Sequence, residues 1–169
     1  MAYNVTASVL SNQDATPIAK VYPTGKGGSV RSNYGVATIV ATTVGQTTGF
    51  VRIPARARLI SVSTRHATMG NGSFKFGFYR PGSALGTSVA VKDDAISAAV
   101  ALTAQTGANL FDGGTATTRG QAISDWLATE IGTAGATQDV EFDIVATVVT
   151  VSTGTAVSYP LEVQYVLPE

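Results

Sequence analysis

Residues 50–80 read FVRIPARARLISVSTRHATMGNGSFKFGFYR, and the reading of this stretch decides the fold. Between Arg58 and Ala67, Ile60 and Val62 fall on one face, and Ser61, Ser63 and Arg65 on the other. Between Ser73 and Tyr79, Phe74, Phe76 and Phe78 share a face, with Lys75 opposite. A period of two is the signature of a half-buried strand, because successive side chains leave opposite faces of the backbone. Met69-Gly70-Asn71-Gly72 separates the two runs. Asn-Gly tolerates the positive φ angles of a tight turn, so a β-hairpin is expected here. Three phenylalanines on one face then supply a sheet-packing surface.

The same alternation continues outward in both directions. Val36 to Thr43 and Thr48 to Ile53 read as strands, and Pro54 ends the second or puts it at an edge. A turn follows at Arg80-Pro81-Gly82-Ser83, then a short strand from Thr87 to Val91. Ile96, Ala98, Val100 and Leu102 alternate as a strand would, although the Ala-rich run behind Asp93-Asp94 also fits a capped helix; strand is the reading adopted. Gly113-Gly114 marks a loop. Residues 119–131 are the best helix, with Ile123, Trp126, Leu127 and Ile131 in one stripe and Gly132 as the stop. Its Trp is expected to plug one end of a sandwich. Near the end of the chain, Asp139 to Val151 aligns Val140, Phe142, Ile144, Ala146 and Val148. After a turn at Ser152 to Thr155, Val157, Tyr159, Leu161, Val163 and Tyr165 alternate with Ser158, Glu162 and Gln164, and the two runs are expected to pair.

Residues 1–33 differ in kind. Pro17, Pro23, Gly25, Gly27 and Gly28 break them into pieces too short to form a core. They predict an extended arm, and residues 34–169 a single domain. The fold class is therefore all-β: an antiparallel, jelly-roll-like β-sandwich with one short α-helix and an extended N-terminal arm.

Composition narrows the chemistry. The chain has 169 residues, enough for one real core, with 44% hydrophobic and 13% charged side chains. It has no Cys, which excludes disulfides and thiolate metal sites. No basic segment followed by an apolar run opens it, so no signal peptide is expected, and no apolar run has membrane-spanning length. The net charge is zero, but ten of the 11 Lys and Arg precede residue 93 and ten of the 11 Asp and Glu follow residue 92. Two interleaved halves would neutralise each other; the sharper alternative is a module with a basic and an acidic surface.

No catalytic set emerges. His66 is the single histidine, in a regular strand with no nucleophile-elbow sequence nearby. Gly25-Lys26-Gly27-Gly28-Ser29 is not a phosphate loop, since Gly follows the Lys and Lys20 stands in place of the first Gly. Asp139, Glu141 and Asp143 alternate opposite an apolar face, as the solvated side of a strand does. Lys75 and Arg80 lie near Phe76 and Tyr79, yet the phenylalanines face the core and cannot stack bases. The sequence therefore predicts no enzyme, cofactor, metal, nucleic-acid or membrane partner.

The succession DATPIAKVYPTGKGG (14–28), RIPARARLISV (52–62), FKFGFYRPG (74–82), the late Trp helix and LEVQYV (161–166) resembles small virion proteins of tailed bacteriophages. The resemblance implies a head decoration or cement protein. Such a protein binds the major capsid protein on the outer surface of the virion, is made in the host bacterial cytoplasm, and is most often a homotrimer. No motif carries the family's contact residues over one by one; the chain's own pattern offers as candidate capsid or subunit contacts Ile18, Lys20, Val21, Tyr22, Lys26 and Arg31 on the arm, the cations Arg52, Arg56 and Arg58, and the outward Val145 and Val149. A carbohydrate-binding or receptor-adsorption module of a tail or head fibre is the alternative, with Tyr22, Tyr34 and Phe111 as its candidate aromatics.

Overall fold

The computed structural model describes residues 29–39, 43–65, 72–82, 89–101, 108–112, 121–131, 141–151 and 157–167. These form β1 (Ser29–Ile39), β2 (Thr47–Pro54), β3 (Arg58–Thr64), β4 (Ser73–Tyr79), β5 (Ala90–Ala101) and β6 (Ala108–Asp112). Two single-turn helices follow, α1 (Ile123–Trp126) and α2 (Ala128–Ile131), and then β7 (Glu141–Thr150) and β8 (Val157–Leu167). The strands make two four-stranded antiparallel sheets, ordered β1-β8-β3-β6 and β2-β7-β4-β5. That is the strand order of a jelly roll: the chain crosses between sheets at every step except β4 to β5.

This topology overturns two expected hairpins. β3 and β4 have the predicted alternation, but β3 pairs with β8 and β6 while β4 pairs with β7 and β5. Likewise β7 and β8 lie in opposite sheets. Turn residues bend the chain equally well into a sheet-to-sheet crossing, so they do not choose the partner. Residues 66–71, with His66 and the Asn71 turn position, lie outside the described residues.

The core lies between the sheets. Phe74, Phe76 and Phe78 point inward as expected, and so do Phe142, Ile144, Ala146 and Val148 of β7 and Tyr159, Leu161, Val163 and Tyr165 of β8. Phe50 and Phe76 from one sheet meet Tyr159 from the other at ring-centroid distances of 5.8 and 5.9 Å, within the range where aromatic pairs attract beyond their buried area. The Tyr159 phenol faces the Thr64 hydroxyl, and burial pushes its pKa up to about 12. β-Bulges correct the face assignments locally. The shift between Leu59 and Ser61 sends Leu59 into the core and leaves Ile60, expected to share the face of Val62, 36% exposed.

The expected helix at 119–131 is shorter and divided. Ala122 is extended, and the N–H groups of Ile123 and Ser124 donate to the carbonyls of Ala57 and Ala55. Those bonds satisfy donors at the start of α1 and pin it to the β2–β3 turn. Ile123 and Leu127 are fully buried. Trp126 packs on Phe78 of one sheet and Phe111 of the other at 5.4 and 5.5 Å, closing the end of the sandwich as predicted.

Two glycines permit close approach. A Cβ on Gly35 of β1 would collide with the Phe50 carbonyl, where β1 passes β2. One on Gly77 would strike the Lys92 carbonyl and the Asp93 backbone. Here β5 bulges: Phe76 pairs with Ser97 and Phe78 with Lys92, so β5 carries extra residues that fold over β4.

Candidate functional site

The two outer sheet faces differ, and the difference locates the candidate site. On the β2-β7-β4-β5 sheet, Arg52 donates from Nε and Nη2 to the two carboxylate oxygens of Asp143, at 2.7 and 3.2 Å. Asp143 is fully buried, so the acid expected to be solvated is instead the buried partner of an ion pair with a partly exposed arginine. Its hydrogen bond, more than its charge, raises the guanidinium pKa. Tyr79 lies opposite Asp143, and its hydroxyl is 2.6 Å from Thr147 Oγ1. Val145, which lies between Asp143 and Thr147 on the same face of β7, is completely buried. Lys75 pairs with Asp93 of the β5 bulge, whose hydrogen bond raises the lysine pKa. Along Asp143, Val145 and Thr147 this face is buried within the chain.

The face of the β1-β8-β3-β6 sheet is open. Val30, Tyr34 and Val36 project from the edge strand β1 and are more than half exposed. In the middle of the sheet, Tyr34 pairs with Glu162, Glu162 with Ser63, and Ser63 with Asn109. Residues directly opposite in antiparallel strands share a face. An aromatic ring, a carboxylate, a hydroxyl and an amide thus form one row across all four strands. Ser32 Oγ and Gln164 Nε2 both donate to Glu162 Oε1 at 3.1 Å, and Ser61 Oγ donates to Gln164 Oε1 at 3.3 Å. The row borders a cleft of about 290 Å³ that Arg65 and Pro160 also line.

The residues singled out in the sequence separate into groups. Ile18, Lys20, Val21, Tyr22 and Lys26 lie outside the described residues. Arg31 does not belong to an arm: β1 begins at Ser29, and Arg31 stands in it opposite Tyr165. Arg58, opposite Val166 on the other side of β8, marks the same end of the sheet, and exposed Arg56 occupies the adjoining turn. Arg52 is on the other sheet, held by Asp143. Val145 was expected to face outward and need a partner subunit, but it is completely buried within the chain. Val149 is at the surface; backbone bonds of Gly45 and Gln46 with Val148 bring exposed Val44 beside Val149 and Val151. Sequence reasoning missed Glu162, Ser63 and Asn109 as a group. Their polar alternation was visible, but only strand pairing puts them in one row. Among the described residues no cluster of three metal-ligating side chains occurs, and no helix is long and apolar enough to cross a membrane.

No protein-family model and no curated protein matches the sequence. The fold, however, is shared with a solved structure. A chain in the capsid of Ralstonia phage GP4 superposes with a TM-score of 0.61 at 13% identity, over 85% of this chain and 87% of that one. A chain in the capsid asymmetric unit of cyanophage Pam1 aligns over 92% and 97% of the two chains, at 15% identity and a TM-score of 0.42.

Proposed function

We propose that this chain is a structural, non-enzymatic protein of a tailed-bacteriophage virion that binds the outer capsid lattice and stabilises it, as a decoration or cement protein. The observation that carries the reading is the jelly-roll order of the two sheets, shared over most of the chain with a chain of the Ralstonia phage GP4 capsid. The partner in this reading is the major capsid protein. The protein is made in the host cytoplasm and acts as a homo-oligomer, with a trimer the favoured state. Lattice binding of this kind draws on many copies, each contributing a modest contact, so avidity replaces individual affinity.

Two features support the contact mode. The Pro- and Gly-broken segment before β1 carries Ile18, Lys20, Val21, Tyr22 and Lys26, a mixture suited to lying in a groove or along a sheet edge of another protein. It enters the domain at the end of the sheet where Arg31, Arg56 and Arg58 stand exposed. Cations there steer association and fix register more than they add affinity, and salt weakens their effect. The test is a chain lacking residues 1–28, mixed with undecorated capsids of the phage that encodes it. The truncated protein is expected to fold and to lose capsid binding, while the full chain decorates. Undiminished decoration by the truncated chain would remove the segment as anchor and shift attention to Arg56 and Arg58. Failure of the full chain to bind any capsid would remove the lattice reading itself. Sedimentation at micromolar concentration checks the oligomer.

A further inference from the structure

The row Tyr34–Glu162–Ser63–Asn109 has a chemistry that lattice binding does not call for. We propose that the cleft beside it is a saccharide-binding site, with a sugar ring seated on Tyr34 and its hydroxyls held by Glu162, Ser63 and Asn109. The inference stands independently of the capsid reading.

The argument starts from the carboxylate. Glu162 Oε1 accepts two hydrogen bonds, from Ser32 and Gln164, and Gln164 is itself fixed by Ser61. The side chain is thereby oriented before any ligand arrives, and a preorganised group loses less entropy on binding. An ionised carboxylate only accepts hydrogen bonds, so with Oε1 occupied, Oε2 is left for donors from outside. The ligand must therefore bring O–H or N–H groups. The rest of the row asks for a ligand that also accepts: the Asn109 amide donates, the Ser63 hydroxyl does both, and Arg65 at the cleft adds a cationic donor. Dense groups that donate and accept at neighbouring positions are the hallmark of a polyol.

Tyr34 selects among polyols. Its side chain is largely solvent-exposed on β1, at one end of the row, with only the sheet beneath it. An exposed aromatic offers an apolar face beside a polar tip, and a pyranose presents C–H groups on one face and hydroxyls at its rim. At the ordinary strand separation, the four strands place Tyr34 and Asn109 about 14 Å apart. That suits a short oligosaccharide better than a single ring. A phosphate-rich ligand is disfavoured because the carboxylate stands in the centre of the row.

The experiment titrates the full chain with neutral hexasaccharides of glucose, galactose and N-acetylglucosamine, followed by backbone amide NMR shifts. At least one is expected to bind and to shift the amides of Tyr34, Ser63, Asn109 and Glu162. Tyr34→Ala and Glu162→Gln should each weaken that binding about tenfold or more, since each removes an anchor of a small interface. Glu162→Gln keeps an acceptor for Ser32 and Gln164, so its melting temperature should stay near that of the parent. Arg58→Ala, elsewhere on the sheet, should bind sugar normally. The proposal is overturned if no hexasaccharide shifts these amides. It is equally overturned if Tyr34→Ala leaves sugar binding intact, or if it abolishes capsid decoration while no sugar binds, which would make the cleft a protein contact. Loss of sugar binding with decoration preserved separates this proposal from the lattice reading.

Discussion

Arg52 and Asp143 stand in register across β2 and β7, and the guanidinium grips both carboxylate oxygens. The two partners are not equally placed: Asp143 is fully buried, while the Arg52 side chain keeps about a third of its surface in water. Breaking such a pair is worse when it strands the buried charge. Arg52→Met is therefore expected to lower the melting temperature more than Asp143→Asn, which leaves only an arginine that can reach solvent. Adding Asp143→Asn to Arg52→Met should recover part of the loss, because the uncompensated carboxylate is gone. Thermal unfolding of the three variants checks the order.

Gly35 and Gly77 adopt ordinary backbone angles, so it is space that excludes a side chain there. At each, a Cβ meets backbone, which cannot rotate away as a side chain could. Gly77→Ala and Gly35→Ala should each destabilise by about 1–3 kcal/mol or more, as overpacking does. Gly45→Ala is governed differently: its surroundings are open, and its φ of 81° is the source of strain. Chemical denaturation of the three variants separates the two causes, with the loss at Gly45 confined to backbone strain.

Phe76 is fully buried against Phe50 and Tyr159, whereas Ile60 is turned outward by the bulge in β3. Phe76→Ala should lower stability by roughly 3–5 kcal/mol. Ile60→Ser should stay within about 0.5 kcal/mol of the parent. If Ile60→Ser proved as harmful as a core truncation, the bulge would be misplaced.

Burial raises the Tyr159 pKa from its usual value near 10 to about 12, the Thr64 hydroxyl opposing the shift. The folded state therefore holds a proton that the unfolded state releases first. This contribution is fully present below pH 10 and fades as pH rises from about 10 to about 12, amounting to roughly 2–3 kcal/mol in all. Denaturant midpoints of the parent should fall more steeply across that window than those of Tyr159→Phe. Parallel curves would show that the phenol is not sealed.

The sequence carried the strands but not their partners. Alternation identified β4, β7 and β8 with their inward faces, because burial on one side imposes a period of two whatever lies beside the strand. Asn71-Gly72 and the Ser152–Thr155 segment were read as hairpin turns, yet the strands on either side of each lie in different sheets. β6 went unread: five residues give too little periodicity. Bulges, which need a partner strand to exist at all, account for the misplaced Ile60. Tyr34 was noticed as a lone aromatic and Glu162 as one polar position among several. Their relation depends on β1 pairing with β8, a contact between the two ends of the domain that no local pattern encodes.

That β1–β8 pairing, running from Ser29 opposite Leu167 to Ile39 opposite Val157, also sets the timing of folding. β8 is an inner strand, flanked by β1 and β3, so one sheet has no middle until the last strand has left the ribosome. Every earlier nascent chain exposes the apolar inner faces of β1 and β3 with nothing to join them. Pairings this distant in sequence make for slow folding and for aggregation-prone intermediates. A nascent chain stalled before residue 157 therefore holds every strand of the β2-β7-β4-β5 sheet but leaves the facing sheet, and with it the core between them, without its middle.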